Sequence, residues 1–162
     1  MLPYQRMRRL CPWHPHVKKG NVEDRHRLKI PQYVGNLGWI LLTHSEDGNP
    51  IALFVDTHDR IRSLPIILDE RLFSDTVIRV IQLKPDVFLA CDIRYLNGKF
   101  LYDTLSYQER SKKLEELLDA FHRTDLTALL PYDEVPVDTL VHGWEYYDEN
   151  PGSMGVFLPA RE

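Results

Sequence analysis

The chain has 162 residues, of which 43% are hydrophobic and 27% charged, and its net charge is -4. This composition is typical of a folded domain and excludes a largely disordered chain. The sequence has no apolar run near the roughly 20 residues that cross a bilayer, and its N-terminus lacks the apolar segment of a secretory signal. Two cysteines do not make a disulfide framework. We therefore expect an intracellular protein, cytoplasmic or nuclear, without a membrane partner.

The charge is unevenly distributed along the chain. Residues 1–29 contain eight Lys or Arg and two acidic residues, a net charge of +6, which leaves -10 for the remainder. Three prolines within the first 20 residues predict an irregular conformation there. We therefore divide the chain into a basic N-terminal arm, 1–29, and a domain, 30–162. The arm either binds phosphates or a protein partner, or it docks on its own acidic body, and the sequence leaves these alternatives open.

Apolar runs rich in β-branched and aromatic residues predict six strands. A turn at Asp47-Gly48 joins the first two and Pro85 separates the next two, so each pair is expected to form a hairpin. The predicted strands lie near 39–44, 51–56, 76–83, 87–93, 143–147 and 155–159.

One helix is predicted in the second half of the chain. Ser106 and Glu109 match the S-x-x-E capping box that opens a helix. The apolar residues that follow recur at helical spacing on one face. They are Leu114, Leu117, Leu118 and Phe121. With the strands, this predicts an α+β fold dominated by antiparallel pairing.

The segment around this helix resembles a motif of the covalent nucleotidyltransferases, the superfamily of DNA and RNA ligases and mRNA-capping guanylyltransferases. An apolar strand ends at Asp92, a turn follows at Asn97-Gly98, Asp103 comes next, and the capped helix begins at Ser106. The resemblance implies a nucleotidyltransferase-like α+β fold in which antiparallel sheets flank a groove with one main helix.

The residues that such enzymes use for covalent catalysis are missing. The family's K-x-D-G lysine falls at Gly35, its aspartate falls at Leu37, and no lysine follows Lys113. A phosphoramidate intermediate needs an amine that loses its proton, which glycine lacks. The resemblance therefore implies a protein with no catalytic residue. An active guanylyltransferase or ligase that uses Lys29 instead is an open alternative.

Several short stretches are similar to the cap-binding domain of snurportin, which holds a methylated RNA cap without transferring it. They are "IPQYVGNLGWILL", "IALFVD", "FLACDIRYLNGKFLYD" and "NPGSMGVFLPA". The resemblance implies non-catalytic binding of an RNA 5′ cap or nucleotide, without a cofactor. A structural module of a larger assembly, with core side chains filling the old site, is a further alternative.

A methylated guanine is a cationic ring that needs flat π faces, and a phosphate bridge needs Lys or Arg beside it. Those requirements and the snurportin resemblance together predict a set of ligand-binding residues. For two of them, Trp39 and Phe157, packing in the core is the alternative. The set is Trp39, Phe157, Trp144, Tyr146, His26, Arg60 and Arg62. Cys11, His14 and His16 lack a second pair of zinc ligands elsewhere, so no metal site is predicted.

Overall fold

A computed structural model describes residues 3–13, 18–65, 70–119, 127–152 and 155–160. Of these residues 44% lie in strands, which pair mostly antiparallel, and the described part of the chain contains two α-helices. The helices are α1 (Tyr4–Leu10) and α2 (Tyr107–Asp119). The strands are β1 (Lys18–Lys19), β2 (Leu28–Tyr33), β3 (Asn36–His44), β4 (Pro50–Asp56), β5 (Ile61–Ser63), β6 (Thr76–Lys84), β7 (Val87–Leu96), β8 (Lys99–Phe100), β9 (Ala128–Leu130), β10 (Val141–Tyr147) and β11 (Val156–Pro159). Short 3-10 turns lie at Glu70–Leu72 and Tyr132–Glu134.

The predicted fold class is wrong. The protein has a β-rich fold rather than an α+β nucleotidyltransferase-like fold with a groove. Apart from the apolar stripe of α2, the apolar runs lie in strands, and the two described helices cover opposite faces of the larger sheet, so strands make up most of the fold. Between the two sheets, the Arg79 and Glu145 side chains meet at 1% and 0% exposure. A buried ion pair thus lies between the sheets, where the predicted fold has its groove.

The larger sheet has seven strands in the order β5-β4-β3-β6-β7-β8, with β9 beside β7. Both predicted hairpins are confirmed, since β3 pairs antiparallel with β4 and β6 with β7. Six consecutive residues of β3, 38–43, are buried because both faces of the strand are covered. Ile40 and Leu42 join the core under α2, whereas Trp39 and Leu41 join the core under α1.

Helix α1 docks on the larger sheet, so the irregular conformation predicted for residues 1–20 is wrong at Tyr4–Leu10. Met7 and Leu10, three residues apart on one helical face, are buried against Trp39 and its neighbours. Arg6 pairs with Asp75 at 2.5 Å, and Arg8 pairs with Asp59 at 2.8 Å. At these two arginines, the basic arm docks on the acidic body.

The smaller sheet has four strands in the order β1-β11-β10-β2. It joins segments from both ends of the chain, and the boundary that we placed between residues 29 and 30 falls within β2. The predicted strands at 143–147 and 155–159 correspond to β10 and β11, which pair antiparallel. The pairing of β2 with β10 and of β1 with β11 brings the C-terminal aromatic residues next to the basic N-terminal region.

The predicted helix is confirmed as α2. The Ser106 backbone N–H donates to Glu109 Oε1 at 3.1 Å, and the Glu109 backbone N–H donates to Ser106 Oγ at 3.3 Å, as in a capping box. Leu114 and Leu117 are buried, as the apolar pattern predicts. Phe121 lies outside the described residues.

Candidate functional site

Gly35 lies in the bend between β2 and β3 and lines a cleft of about 590 Å³ with Arg60 and Arg62. A Cβ atom at this position would lie 2.5 Å from Ile81 Cγ2 and 2.7 Å from the Gln82 carbonyl oxygen. Both distances are far below van der Waals contact. The backbone at Gly35 therefore packs too closely against β6 to accept a lysine without displacement of that strand.

The two arginines of this cleft already have partners. Asp56 accepts hydrogen bonds from the backbone N–H groups of His58 and Arg60, both at 2.9 Å, and from Arg60 Nε at 3.0 Å. Burial opposes ionisation of Asp56, but these hydrogen bonds and one from Asn36 hold its pKa below its ordinary value. Arg62 donates to the Pro85 carbonyl. The cleft thus holds a paired polar network rather than free positive charge.

Three residues of the predicted ligand-binding set are buried. Trp39 is 1% exposed, and its Nε1 donates to the Pro12 carbonyl at 2.8 Å, so the core alternative holds for it. Phe157 is 6% exposed and stacks on His142 at 5.4 Å between ring centroids. His26 is 9% exposed and accepts a hydrogen bond at Nδ1. None of these rings offers an open face of the kind that a base would need.

Trp144 and Tyr146 lie together on the outer face of the smaller sheet. They alternate along β10 with Glu145 and Tyr147, which are buried on the other face. Lys29, cross-strand from Tyr146 on β2, is exposed, and its Nζ lies 4.1 Å from the Trp144 ring centroid. We call the surface formed by Lys29, Pro31, Trp144, Tyr146 and Leu158 the aromatic face. It combines π surfaces with a positive charge, the two features that the predicted ligand requires.

A buried polar network joins the two sheets behind the aromatic face. Glu145 accepts from Arg79 Nη1 at 2.9 Å and Nη2 at 2.7 Å, from the Tyr147 hydroxyl at 2.6 Å, and from Gln32 Nε2 at 2.8 Å. Burial raises the pKa of Glu145, but the Arg79 charge and these donors outweigh it, so the pKa lies below its ordinary value. Four hydrogen bonds fix the carboxylate, and the two from Arg79 connect the larger sheet to the smaller one.

The sequence did not predict a second pocket, of about 760 Å³, between α2 and β2. One stripe of α2 forms a wall, the edge strand β2 and the 3-10 turn at Tyr132–Glu134 form the opposite wall, and Cys91 of β7 also lines it. Burial raises the pKa of the Cys91 thiol to about 12, so the thiol is neutral. We call this cavity the helix pocket. Its only sequence signal is the pair Glu115 and Asp119, four residues apart on α2.

The described residues contain no group of three or more His, Cys, Asp or Glu side chains placed to hold a metal ion. His14 and His16 lie outside that part of the chain. Across the described ranges, no helix is long and apolar enough to span a bilayer. No protein-family model matches the sequence, and no curated protein matches it either. A function therefore has to follow from the chemistry of the surfaces themselves.

Proposed function

We propose that the protein binds an RNA 5′ cap or nucleotide, without covalent chemistry, through the aromatic face. The observation that carries this proposal is the contact of the exposed Lys29 ammonium with the Trp144 ring at 4.1 Å, beside Tyr146. It supplies π surface and a phosphate-binding cation on one open sheet face.

The spacing of the two aromatic residues suits consecutive unstacked bases. Trp144 and Tyr146 are two positions apart on β10, which separates them by roughly 7 Å along the strand. RNA-recognition domains use aromatic residues on an open sheet in this way, and each stacked base is worth about 1–3 kcal/mol. Leu158, cross-strand from Trp144 and 41% exposed, extends the apolar area of the face.

A methylated guanine fits this face better than an unmodified one. Methylation makes the base cationic, and the face of Trp144 already attracts a cation, the Lys29 ammonium. The cationic base takes the place of that ammonium on the ring. Lys29 has an exposed, flexible side chain, so it then turns to the phosphate bridge of the cap.

Two contacts support binding without transfer. Gly35 has no room for a side chain, and the Lys29 amine lies against Trp144 instead of lining the Gly35 cleft. A covalent mechanism would need an amine held against the α-phosphate with sub-ångström accuracy. Covalent labelling of Lys29 by a nucleotide is therefore the result that the experiment has to exclude.

The structural module is a second candidate, and the buried network favours it. Arg79 and Glu145 occupy the space between the sheets, so ligand binding there would require breaking a fully buried ion pair. This candidate predicts that no nucleotide, cap or short RNA binds to any part of the protein.

The test is a titration of the full chain with a 7-methylguanosine cap dinucleotide, its unmethylated counterpart and short single-stranded RNAs. Trp144→Ala should weaken cap binding by roughly 5- to 150-fold, the equivalent of one lost stacking contact. Trp13→Ala is the matched control, because Trp13 is 44% exposed and has the Arg8 guanidinium 3.7 Å from its ring centroid, yet lies outside the aromatic face. Lys29→Gln should also reduce the salt dependence of RNA binding by about 0.7 in slope.

Each alternative gives a different result. Failure of every ligand to bind, or equal losses in Trp144→Ala and Trp13→Ala, would overturn the proposal, and failure of every ligand would support the structural module. Radiolabelled nucleotide that stays on the denatured wild-type protein and is lost in Lys29→Arg would establish the enzyme instead.

A further inference from the structure

We propose that the helix pocket is a separate site for an organic cation, an alkylated ammonium group on an apolar chain. The volume of about 760 Å³ lies within the roughly 300–1,000 Å³ that is usual for small-molecule sites. Most of the lining is apolar or aromatic, and what remains is mainly acidic. The helix pocket shares Pro31 with the aromatic face, but its acidic and tyrosine residues lie outside that face, and the inference does not depend on RNA binding.

The charged residues among the described lining of the pocket are all acidic. Glu115, Asp119 and Asp133 line it, and none of its described lining residues is Lys, Arg or His. None of these three carboxylates forms an ion pair with a described residue. Glu115 and Asp119 are four residues apart on α2, an arrangement of like charges that destabilises a helix. A bound cation would relieve this repulsion.

The aromatic residues of the pocket explain why the cation should carry alkyl groups. The Tyr33 and Tyr132 rings lie 6.2 Å apart at an interplanar angle of 40°, so they form a corner rather than a stack. Tyr107 is held in place by its stack on Tyr147 at 4.0 Å and by a hydrogen bond from its hydroxyl to the Cys91 carbonyl. Aromatic walls of this kind recognise alkylated ammonium ions, which are weakly hydrated and lose little on entering an apolar cavity.

The pocket also contains apolar residues that can contact the hydrocarbon part of the ligand. Leu114 and Leu118 of α2 face Ile30 of β2 across the cavity, and Leu118 and Ile30 are only half-buried. An alkyl chain between them would bury apolar surface that the protein leaves open to water. The ligand class is therefore an ammonium group with a short hydrocarbon stem, either on a free amine or on a methylated lysine side chain.

The test compares a charged probe with its uncharged isostere in calorimetric titrations of the full chain. The probe is 4-hydroxybutyltrimethylammonium and the isostere is 5,5-dimethylhexan-1-ol, which has the same shape without the charge. A second arm uses a short peptide that contains trimethyllysine, with 2-amino-7,7-dimethyloctanoic acid, its uncharged carbon isostere, at the same position as the control. We expect saturable binding of the charged member, with the neutral member about tenfold weaker or more.

Matched variants locate the site. The double variant Glu115→Gln/Asp119→Asn should weaken binding of the charged probe by about tenfold. Glu116→Gln makes the same kind of change outside the pocket, since Glu116 lines a different cleft with Arg71, and it should have no effect. Thermal unfolding checks that the double variant remains folded, which we expect because both carboxylates are exposed.

Two further results separate this inference from the proposed function. Trp144→Ala should retain ammonium binding, and Glu115→Gln/Asp119→Asn should retain cap binding. If only the trimethyllysine peptide binds, and its binding depends on charge in the same way, the ligand is a side chain of a partner protein. If the free ion binds as well, the ligand class includes small amines. Equal binding of charged and neutral probes, no binding in either arm, or an unaffected double variant would overturn the inference.

Discussion

Replacing Glu145 with glutamine is the most direct test of how the two sheets are held together. The substitution keeps the shape of the side chain but removes the charge that faces the Arg79 guanidinium. It also replaces one of the two acceptor oxygens with an N–H₂ group, which confronts one of the two Arg79 donors, now 2.7 Å from Oε1 and 2.9 Å from Oε2. Arg79, at 1% exposure, would then be a buried and uncompensated cation.

The expected loss is about 3–5 kcal/mol in the free energy of unfolding, the usual effect of breaking a buried ion pair by removal of one partner. A domain of this size has a total stability of about 5–15 kcal/mol, so the variant should still fold. With an m-value of about 2 kcal/mol/M, the urea midpoint should fall by about 2 M. Adding Arg79→Met removes the stranded charge and should recover a large part of the loss.

The assay is urea unfolding followed by far-UV circular dichroism and tryptophan fluorescence. Asp86→Asn is the control, because its carboxylate lies 3.6 Å from Arg62 on the surface and should leave the midpoint unchanged. A loss below about 1 kcal/mol in Glu145→Gln, or a double variant no more stable than the single one, would refute the account of the buried pair.

Three further predictions concern stability. Folding lowers the pKa of Glu145, so its stabilisation is fully present above the ordinary pKa of 4.5 and is lost as the pH falls below that value toward the pKa of the folded state. Urea midpoints of wild type and Glu145→Gln should therefore stay apart above pH 4.5 and converge as the pH falls below it. Gly35→Ala should cost about 1–3 kcal/mol in urea unfolding through its clash with Ile81, and more than Gly20→Ala, whose Cβ meets one side chain at 3.3 Å. Ser106→Ala should lower stability by about 1 kcal/mol through loss of the helix cap.

The local elements were predictable because short-range rules govern them. Asp47-Gly48 and Pro85 located both hairpins, and the capping box located the start of α2. The fold class was not predictable in the same way, since a family-like order of elements does not fix how many strands join a sheet or what fills the space between sheets.

The candidate sites also combine features set by local sequence with features set by long-range strand pairing. Trp144 and Tyr146 were both predicted as ligand-binding residues, and alternation along β10 places them on one face of the smaller sheet. Their association with Lys29 depends on the pairing of β2 with β10, which are more than 100 residues apart in sequence. The same pairing leaves β2 at the sheet edge, where it forms one wall of the helix pocket.

By itself, the sequence determined six of the eleven described strands, where α2 begins and that position 35 has no amine, because each depends on residue type and near neighbours. Only the tertiary structure decided that Arg79 would meet Glu145, 66 residues away, and that an acidic stripe of α2 would face tyrosines from two other segments. The residues that pair with a buried charge or complete a pocket wall come from whichever strands the whole sheet brings within a few ångströms. That choice depends on the packing of the entire chain and leaves no signal in the local pattern.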